Sequence, residues 1–298
     1  MCWWLFIGGF KVIAECMGLK LKIPDRCWFS FFNSPYPSHK SSSAIDIYYP
    51  EGEGLMPIDD GVVLEVEKFE CPVRRADASP FDYLTLIRVD EDVVLKILHV
   101  KPNVKPGEKL HLGDPIGKII VSGFLSPWSN IHMHLEFRSL HDPYRALGGF
   151  RIDIRETVNL LPKPSRIENP FTVEEICENY MWLKPKTSFN FQCGLMLMVN
   201  DKLLWVDGGI PHYNYGAILG FNGLGSIRYV DGVSLGEIYF HTHPYSLFKP
   251  KCKVYIDGLM VKGLGSYIGN PLLKVIFDRN VNGYADWRVG DQVELSFK

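Results

Sequence analysis

The stretch that decides the fold is Ser129-Asn130-Ile131-His132-Met133-His134-Leu135-Glu136-Phe137. Apolar and polar side chains alternate along it, and a period of two residues is typical of a β-strand. On such a strand His132, His134 and Glu136 share one face, while the apolar side chains of the other face can enter a core. Two adjacent imidazoles can bind a metal, or one can bind it while the other moves protons. For a lone His-x-His pair, two exposed histidines on a half-buried strand are the favoured interpretation, because strands place such pairs together by chance, and only the residues upstream change this balance.

Composition indicates a folded protein with room for two domains. The chain has 298 residues, of which 46% are hydrophobic and 22% charged. A net charge of -2 and the lack of a long basic run give no reason to expect a nucleic-acid partner. The seven cysteines are scattered and form no Cys-x-x-Cys pair, which favours free core thiols over a thiolate zinc site or a disulfide framework.

The first nineteen residues, Met1 to Leu19, form an apolar segment that Lys11 and Glu15 interrupt. Because no basic region precedes it and no small-residue cleavage pattern follows, it predicts neither a secretory signal nor a membrane span. Two interpretations stay open: a first strand or amphipathic segment, or a true start at Met17. The sequence therefore leaves the localisation undecided.

From residue 20 to 140 the chain is predicted to consist of short strands separated by Gly, Pro, Asp and Ser turns. The expected strands are Ala44–Tyr48, Gly61–Val66, Tyr83–Val89, Val93–Val100, Ile116–Val121 and Ile131–Phe137. Residues 141–186 are predicted to connect two domains and to contain one helix, Val173–Trp182, which a capping box from Thr172 to Glu175 would open. Residues 187–298, with turns such as Asp207-Gly208-Gly209 and Asn282-Gly283, predict a second, all-β domain.

Chemistry-bearing residues recur through the first β region in a fixed order. His39 precedes the predicted strand Ala44–Tyr48, and Asp46 lies within it. The segments Gly54 to Val63 and Val94 to His99 follow, then the glycine turns at Gly107 and at Gly113 to Gly117, and finally His132-x-His134. Together they resemble the lysostaphin-type (LytM-like, duplicated hybrid motif) zinc metallopeptidases. The resemblance covers Ser38 to Phe137, about a third of the chain.

The resemblance implies a mainly β fold in which a curled antiparallel β-sheet domain carries a zinc-dependent endopeptidase site. It implies Zn2+ bound by His39, Asp46 and His134, and proton transfer and transition-state stabilisation by His99 and His132. Three protein ligands leave a fourth zinc position open, as catalytic zinc chemistry requires. The family acts on peptides, usually cell-wall peptides, and generally works outside the cell.

Two departures from the family pattern bear on this prediction. Six residues separate His39 from Asp46, whereas the family usually has three, so the Ser41–Ser43 stretch must arch if both are to reach one metal. Ile97 stands where the family commonly has a tyrosine, which removes a hydroxyl that could assist the oxyanion. The alternative function is therefore a degenerate peptidase-like domain that binds metal and a peptide or glycan without turnover.

The other histidines are predicted to be peripheral. His111, His141 and His212 lie in turns or loops without an evident partner. His241-Thr-His243 is a second His-x-His at a strand end, but the serine and aspartate that would complete a metallopeptidase motif there are absent downstream, which favours a structural or accessory role. A lipoyl-carrier-like domain would need a lysine at a tight hairpin tip, and none is evident. The oligomeric state cannot be read from the sequence.

Overall fold

The computed structural model describes residues 9–164, 169–188, 191–277 and 286–298. Within these residues the protein is mainly β, as predicted. The chain divides into two compact units. Unit 1 comprises Met1–Trp28 and Tyr36–Thr157, and unit 2 comprises Phe29–Pro35 and Val158–Lys298.

Residues 9–164 contain twelve strands and two short helices in the following order. They are β1 (Phe10–Cys16), β2 (Leu19–Pro24), β3 (Trp28–Ser30), α1 (Pro37–Lys40), β4 (Ala44–Tyr48), β5 (Glu53–Leu55), β6 (Asp60–Glu70), β7 (Phe81–Arg88), β8 (Val93–Leu98), β9 (Val100–Pro102), β10 (Lys109–His111), β11 (Pro115–Ile119), β12 (Met133–Ser139) and α2 (Arg155–Leu160).

A curled antiparallel sheet carries the histidine strand among its inner strands. Its strand order is β10-β6-β7-β8-β12-β4-β3, so β12 lies between β8 and β4. In the register of these strands His134 stands opposite Asp46 on β4 and opposite Leu98 on β8. Each pair of neighbours described from β10 to β4 is antiparallel. The predicted strand Val93–Val100 is divided into β8 and β9 at His99.

The two faces of β12 separate as the alternation predicts. Met133, Leu135 and Phe137 are fully buried on the core face. Ile45 and Ile47 of β4 are fully buried as well, and burying each such side chain contributes about 1.5–3 kcal/mol. On the other face His134 and Glu136 are buried as well. The polar face of a strand at the protein surface would instead be exposed to solvent. The polar face of β12 is therefore an internal site.

Unit 2 is built on a closed ring of strands. The strands of this region are β13 (Phe171–Ile176), β14 (Tyr180–Lys184), β15 (Leu195–Val199), β16 (Lys202–Ile210), β17 (Tyr215–Leu219), β18 (Ser226–Arg228), β19 (Ser234–Thr242), β20 (Tyr245–Pro250), β21 (Val254–Ile256), β22 (Leu259–Val261), β23 (Gly263–Ser266), β24 (Leu273–Ile276), β25 (Gln292–Val293) and β26 (Leu295–Phe297). The order β15-β18-β19-β20-β17-β16 closes through the pairing of β15 with β16 and makes a barrel. From β16 the sheet continues through β23-β24-β14-β13-β25.

The prediction of a helix over Val173–Trp182 is wrong. These residues form the antiparallel pair β13 and β14, joined by a turn in which Cys177 N–H donates to the Tyr180 carbonyl at 2.8 Å. Phe171 and Val173 are buried on one side of β13, and the Thr172 hydroxyl accepts a hydrogen bond from Gln292 instead of capping a helix. Long-range strand pairing therefore overrides a local capping signal. Among the described residues of the predicted connecting stretch, the helix is α2.

Three other sequence predictions can be placed. A first strand within Met1–Leu19 is present as β1, while residues 1–8 and the Asn282-Gly283 turn lie outside the described residues. The six cysteines in the described part of the chain are all free thiols. No helix among the described residues is long and apolar enough to cross a membrane.

Candidate metal centre

Three predicted metal ligands come from three different elements. Asp46 lies in the middle of β4, His134 lies opposite it on β12, and His39 lies on the single-turn helix α1. All three residues are buried. Their candidate ligand atoms lie within 4.8 Å of one another. The structure thus brings together the His39, Asp46 and His134 set that the resemblance implies.

The serine-rich stretch between His39 and Asp46 forms the required arch. Ser43 returns to the start of the turn, because its amide and its hydroxyl both donate to the Ser38 carbonyl, at 2.9 and 3.0 Å. Ser42 takes a left-handed conformation with a φ of 59°. This conformation reverses the chain between α1 and β4, so that His39 folds back over the strand that carries Asp46.

The three candidate donor atoms form a nearly equilateral triangle. His39 Nε2 lies 3.3 Å from His134 Nδ1 and 3.2 Å from Asp46 Oδ1, and His134 Nδ1 lies 2.9 Å from Asp46 Oδ1. Ligands of a tetrahedral zinc with bonds of about 2.0–2.1 Å are separated by roughly 3.3 Å. The triangle therefore has the dimensions of one face of a zinc coordination tetrahedron.

Hydrogen bonding alone cannot account for all three edges of this triangle. If both ring nitrogens carry protons and donate to Asp46, the His39–His134 edge becomes a contact between two donors. If only one ring nitrogen carries a proton, one edge of the triangle joins two acceptor atoms with no hydrogen between them. A cation bound to all three atoms satisfies them together, and the two-imidazole, one-carboxylate set is one that Zn2+ accepts. The residues present therefore fit the metal that the resemblance implies.

The electrostatics of the cluster keep its carboxylate ionised. Burial alone would raise the pKa of Asp46, but electrostatic interaction with the adjacent rings of His132 and His39 and hydrogen bonds with His134 and His39 hold that pKa well below its usual range. Burial would lower the pKa of His134, but hydrogen bonds with Asp46 and Glu136 outweigh it and raise that pKa to about 9. A metal bound at His134 Nδ1 must replace a proton there.

His132 lies beside the triangle with a defined tautomer. Its Nδ1 atom is 2.8 Å from the Asn130 carbonyl, which can only accept, so Nδ1 carries the proton. Its Nε2 atom lies 3.5 Å from Asp46 Oδ1, on the side of the ligand cluster. Burial lowers the pKa of His132 to about 4, so the ring is neutral at pH 7 and Nε2 offers a lone pair. His132 is thus equipped to accept a proton.

His99 completes the group of four imidazoles. Its ring centroid lies 5.3 Å from that of His132 and 6.0 Å from that of His134. The residue has a φ of 67°, a left-handed conformation that costs on the order of 1–3 kcal/mol in a non-glycine residue. Asp82, buried at the start of β7, holds the ring through a 2.6 Å contact with Nδ1.

A buried ionic network supports the far side of His134. Glu136 Oε1 lies 3.1 Å from His134 Nε2 and also accepts a hydrogen bond from Lys96 Nζ at 3.1 Å. Arg138 Nη1 approaches Glu136 Oε2 at 3.5 Å. Burial would raise the pKa of Glu136, but its bond with His134 and the charges of His134 and Lys96 lower it. A carboxylate at Nε2 fixes the imidazole so that Nδ1 faces the candidate metal position.

Aromatic side chains border the cluster. The Tyr36 ring lies 5.7 Å from that of His134, and the Tyr48 ring lies 5.2 Å from that of His132 and stacks on Trp28 at 3.6 Å. Ile97, at the position of the family's tyrosine, is buried in the core.

The sequence placed Glu136 on the strand face of His132 and His134, but it did not indicate the supporting residues Asp82, Lys96, Arg138 and Tyr36. The partners of Asp82, Lys96 and Tyr36 lie far away along the chain, and the pairing register that unites them leaves no local pattern. Arg138 lies two residues after Glu136 on the same face of β12, so the period of two residues is a signal that could have found it.

The remaining histidines stay apart from the centre. His111 is exposed and pairs with Asp60 at 2.7 Å, and exposed His141 lies 3.6 Å from Asp92. His241, at the end of β19, contacts the Asn222 side-chain oxygen at 2.9 Å. Among the described residues, the second His-x-His pair belongs to no cluster of three possible metal ligands.

Comparison with known proteins identifies the two halves of the chain. A model described as the N-terminal domain of a domain of unknown function (DUF8155) matches residues 21–154. A model described as the C-terminal domain of the same family matches residues 163–298. No curated protein and no solved structure matches the chain.

Proposed function

The chain belongs to the DUF8155 family, and we propose that it is a zinc-dependent endopeptidase. The observation that supports this most is the triangle of His39 Nε2, Asp46 Oδ1 and His134 Nδ1, whose edges of 2.9 to 3.3 Å match adjacent ligands of one zinc ion. Zinc at such a site supplies a Lewis acid that polarises a carbonyl and lowers the pKa of water.

The two remaining imidazoles have complementary parts in hydrolysis. His132 donates Nδ1–H to the Asn130 carbonyl and presents the lone pair of Nε2 toward the cluster, so it is placed to accept the proton of the attacking water. His99 has the Asp82 carboxylate at its Nδ1, which stabilises a positive charge on the ring. It is therefore suited to donate a hydrogen bond from Nε2 to the oxyanion and to protonate the leaving amine.

The substrate class is part of the proposal. A peptide carbonyl requires both a Lewis acid and proton transfer to the leaving nitrogen, and the cluster offers groups for each step. By the lysostaphin-type resemblance the substrate is a peptide of the cell-wall kind. The alternative, binding of metal and a peptide or glycan without turnover, is favoured by the burial of Ile97, which leaves the family's tyrosine hydroxyl unreplaced at that position.

Metal analysis and turnover together test the proposal. We expect the full chain to retain about one zinc after mild dialysis, and to lose it in His39→Ala, Asp46→Ala and His134→Ala variants. His141→Ala, which removes an exposed histidine far from the cluster, is the matched control and should retain zinc. Full zinc content in His134→Ala would overturn the ligand assignment.

Turnover separates the peptidase from the binding module. Cell-wall peptides and a mixed peptide pool would be incubated with the zinc-loaded chain, and products identified by mass spectrometry. New amino termini that vanish in the presence of a chelator support the peptidase. Stoichiometric zinc with no cleavage of any peptide would favour the alternative.

A further inference from the structure

Asp82 makes four hydrogen bonds that divide evenly between its two oxygens. Oδ1 accepts the backbone N–H groups of Tyr83 at 2.7 Å and His99 at 3.0 Å. Oδ2 accepts His99 Nδ1–H at 2.6 Å and the Ser122 hydroxyl at 2.8 Å. The residue is fully buried at the start of β7, and the bonds with His99 and Ser122 lower its pKa although burial opposes them.

This division fixes the protonation site of His99. A carboxylate can only accept, so the ring nitrogen 2.6 Å from Oδ2 must be the one that carries hydrogen. In the neutral ring Nε2 is then the nitrogen with the free lone pair. The backbone bond to Oδ1 also pins His99 in its left-handed conformation, with φ 67°. The Asp82 carboxylate thus fixes both the backbone conformation of His99 and the nitrogen of its ring that carries the proton.

We propose that Asp82 is a positioning residue that, together with Ser122, fixes the tautomer and orientation of His99 so that Nε2 is its reactive nitrogen. The inference rests on the proposed function for the role of His99 in proton transfer. Its geometric part stands on the four hydrogen bonds alone. Asp82 acts only through His99, since its two oxygens are occupied by these bonds.

A purely structural role for Asp82 can be separated from the positioning role. In Asp82→Asn the side-chain carbonyl must stay with the two backbone N–H groups, because an NH2 group there would face two donors. The amide NH2 is therefore placed at the position of Oδ2, where it donates to His99 Nδ1 and to Ser122 Oγ. The substitution keeps the shape and the backbone bonds but forces the proton of His99 onto Nε2.

The first readout is the tautomer of His99 in the full chain, measured by 15N NMR of the histidine side chains with and without Zn2+. We expect Nδ1–H in the unmodified protein and Nε2–H in Asp82→Asn. The control is Thr85→Val on the same strand, β7. Thr85 is buried and its hydroxyl has no hydrogen-bond partner among the described residues, so the tautomer should not change. A neutral His99 protonated at Nε2 in the unmodified protein would overturn the proposal without any variant.

The second readout is turnover of whichever peptide the zinc-loaded chain cleaves. An NH2 group at Nδ1 cannot stabilise the positively charged ring that the proposed function uses to protonate the leaving amine. Asp82→Asn should therefore lower kcat by about 100- to 10,000-fold, the range of general acid–base catalysis, with KM changed less than about threefold and zinc retained. Thr85→Val should change neither parameter. An inverted tautomer with unchanged kcat would refute the positioning role. A chain without zinc or turnover would refute the proposed function instead, and the tautomer measured in the same sample would still decide whether Asp82 fixes His99.

Discussion

The Nε2 atom of His39 lies 3.2 Å from the Oδ1 atom of Asp46, although six residues separate the two in the chain. A fully extended segment would place residues seven positions apart about 23 Å from each other. The single turn of α1 and the left-handed Ser42 remove this distance. The longer spacing than in the lysostaphin-type peptidases is therefore accommodated by a local arch, and the position of His39 depends on the conformation of that arch.

The arch can be tested at Ser42. This residue has a φ of 59° and a buried hydroxyl without a hydrogen-bond partner among the described residues. Ser42→Gly should keep the fold and the zinc affinity, because glycine adopts this conformation without steric cost. Ser42→Val should lower the free energy of unfolding by about 2 kcal/mol and weaken zinc binding, because a β-branched residue is strongly disfavoured there. Chemical denaturation and zinc titration measure both, and equal behaviour of the two variants would contradict the arch.

Ligands and proton carriers should respond differently to substitution. His99→Ala and His132→Ala should each abolish peptide hydrolysis while about one zinc stays bound, since neither ring belongs to the triangle of donor atoms. Zinc content and turnover are measured on the same preparation, with His111→Ala as an exposed control that should alter neither. Loss of zinc from both variants would show that the two sets of residues have been assigned the wrong roles.

Glu136 should increase the zinc affinity of the site through its contact with His134 Nε2. Glu136→Gln keeps an oxygen near His134 Nε2 but removes the charge, and we expect zinc affinity to fall about 10- to 100-fold. Glu136→Ala should be worse, because it leaves buried Lys96 without the Glu136 carboxylate, at a cost of about 3–5 kcal/mol. Competition with a zinc chelator and chemical denaturation distinguish the two effects. A Gln variant with unchanged affinity would make Glu136 a purely structural residue.

The sequence predicts those parts of the site that a short pattern encodes. The alternation around His134 and the apolar strand around Asp46 define two neighbouring strands, and both strands are present. Asp82 has no such signature, because its partner His99 is 17 residues away and only the β7–β8 register unites them. The helix at Val173–Trp182 failed for a related reason. Its capping box is a local signal, whereas Thr172 pairs with Gln292, 120 residues further along the chain.

The buried thiols should be inert in the native protein. Burial raises the pKa of both Cys16 and Cys27 to about 12, so almost no thiolate exists at pH 8. Iodoacetamide at that pH should leave both residues unmodified in the folded chain and label them fully in denaturant. Peptide mapping by mass spectrometry provides the measurement. Rapid labelling of either thiol in the native chain would mean that the core around it opens readily.

His212 should make unit 2 sensitive to acid. Its ring packs on the backbone at Gly209 and Gly263, although the sequence indicated only a loop position without an evident partner. Burial first, and then the charges of Lys262 and Lys274, lower its pKa from 6.5 to about 3. Between these two values the unfolded chain binds a proton that the folded chain does not, so the free energy of unfolding falls as the pH falls.

The size of this effect gives a test with an internal reference. Between pH 7 and pH 5 the linkage amounts to about 2 kcal/mol. His212→Gln removes the titrating group. Between pH 7 and pH 5 the free energy of unfolding of this variant should therefore fall by about 2 kcal/mol less than that of the unmodified chain. His141→Gln, at an exposed position, should retain the full dependence. Denaturant unfolding at a series of pH values, followed for unit 2, measures the slopes. Identical slopes for His212→Gln and the unmodified chain would show that His212 is protonated in the folded protein as readily as in the unfolded one.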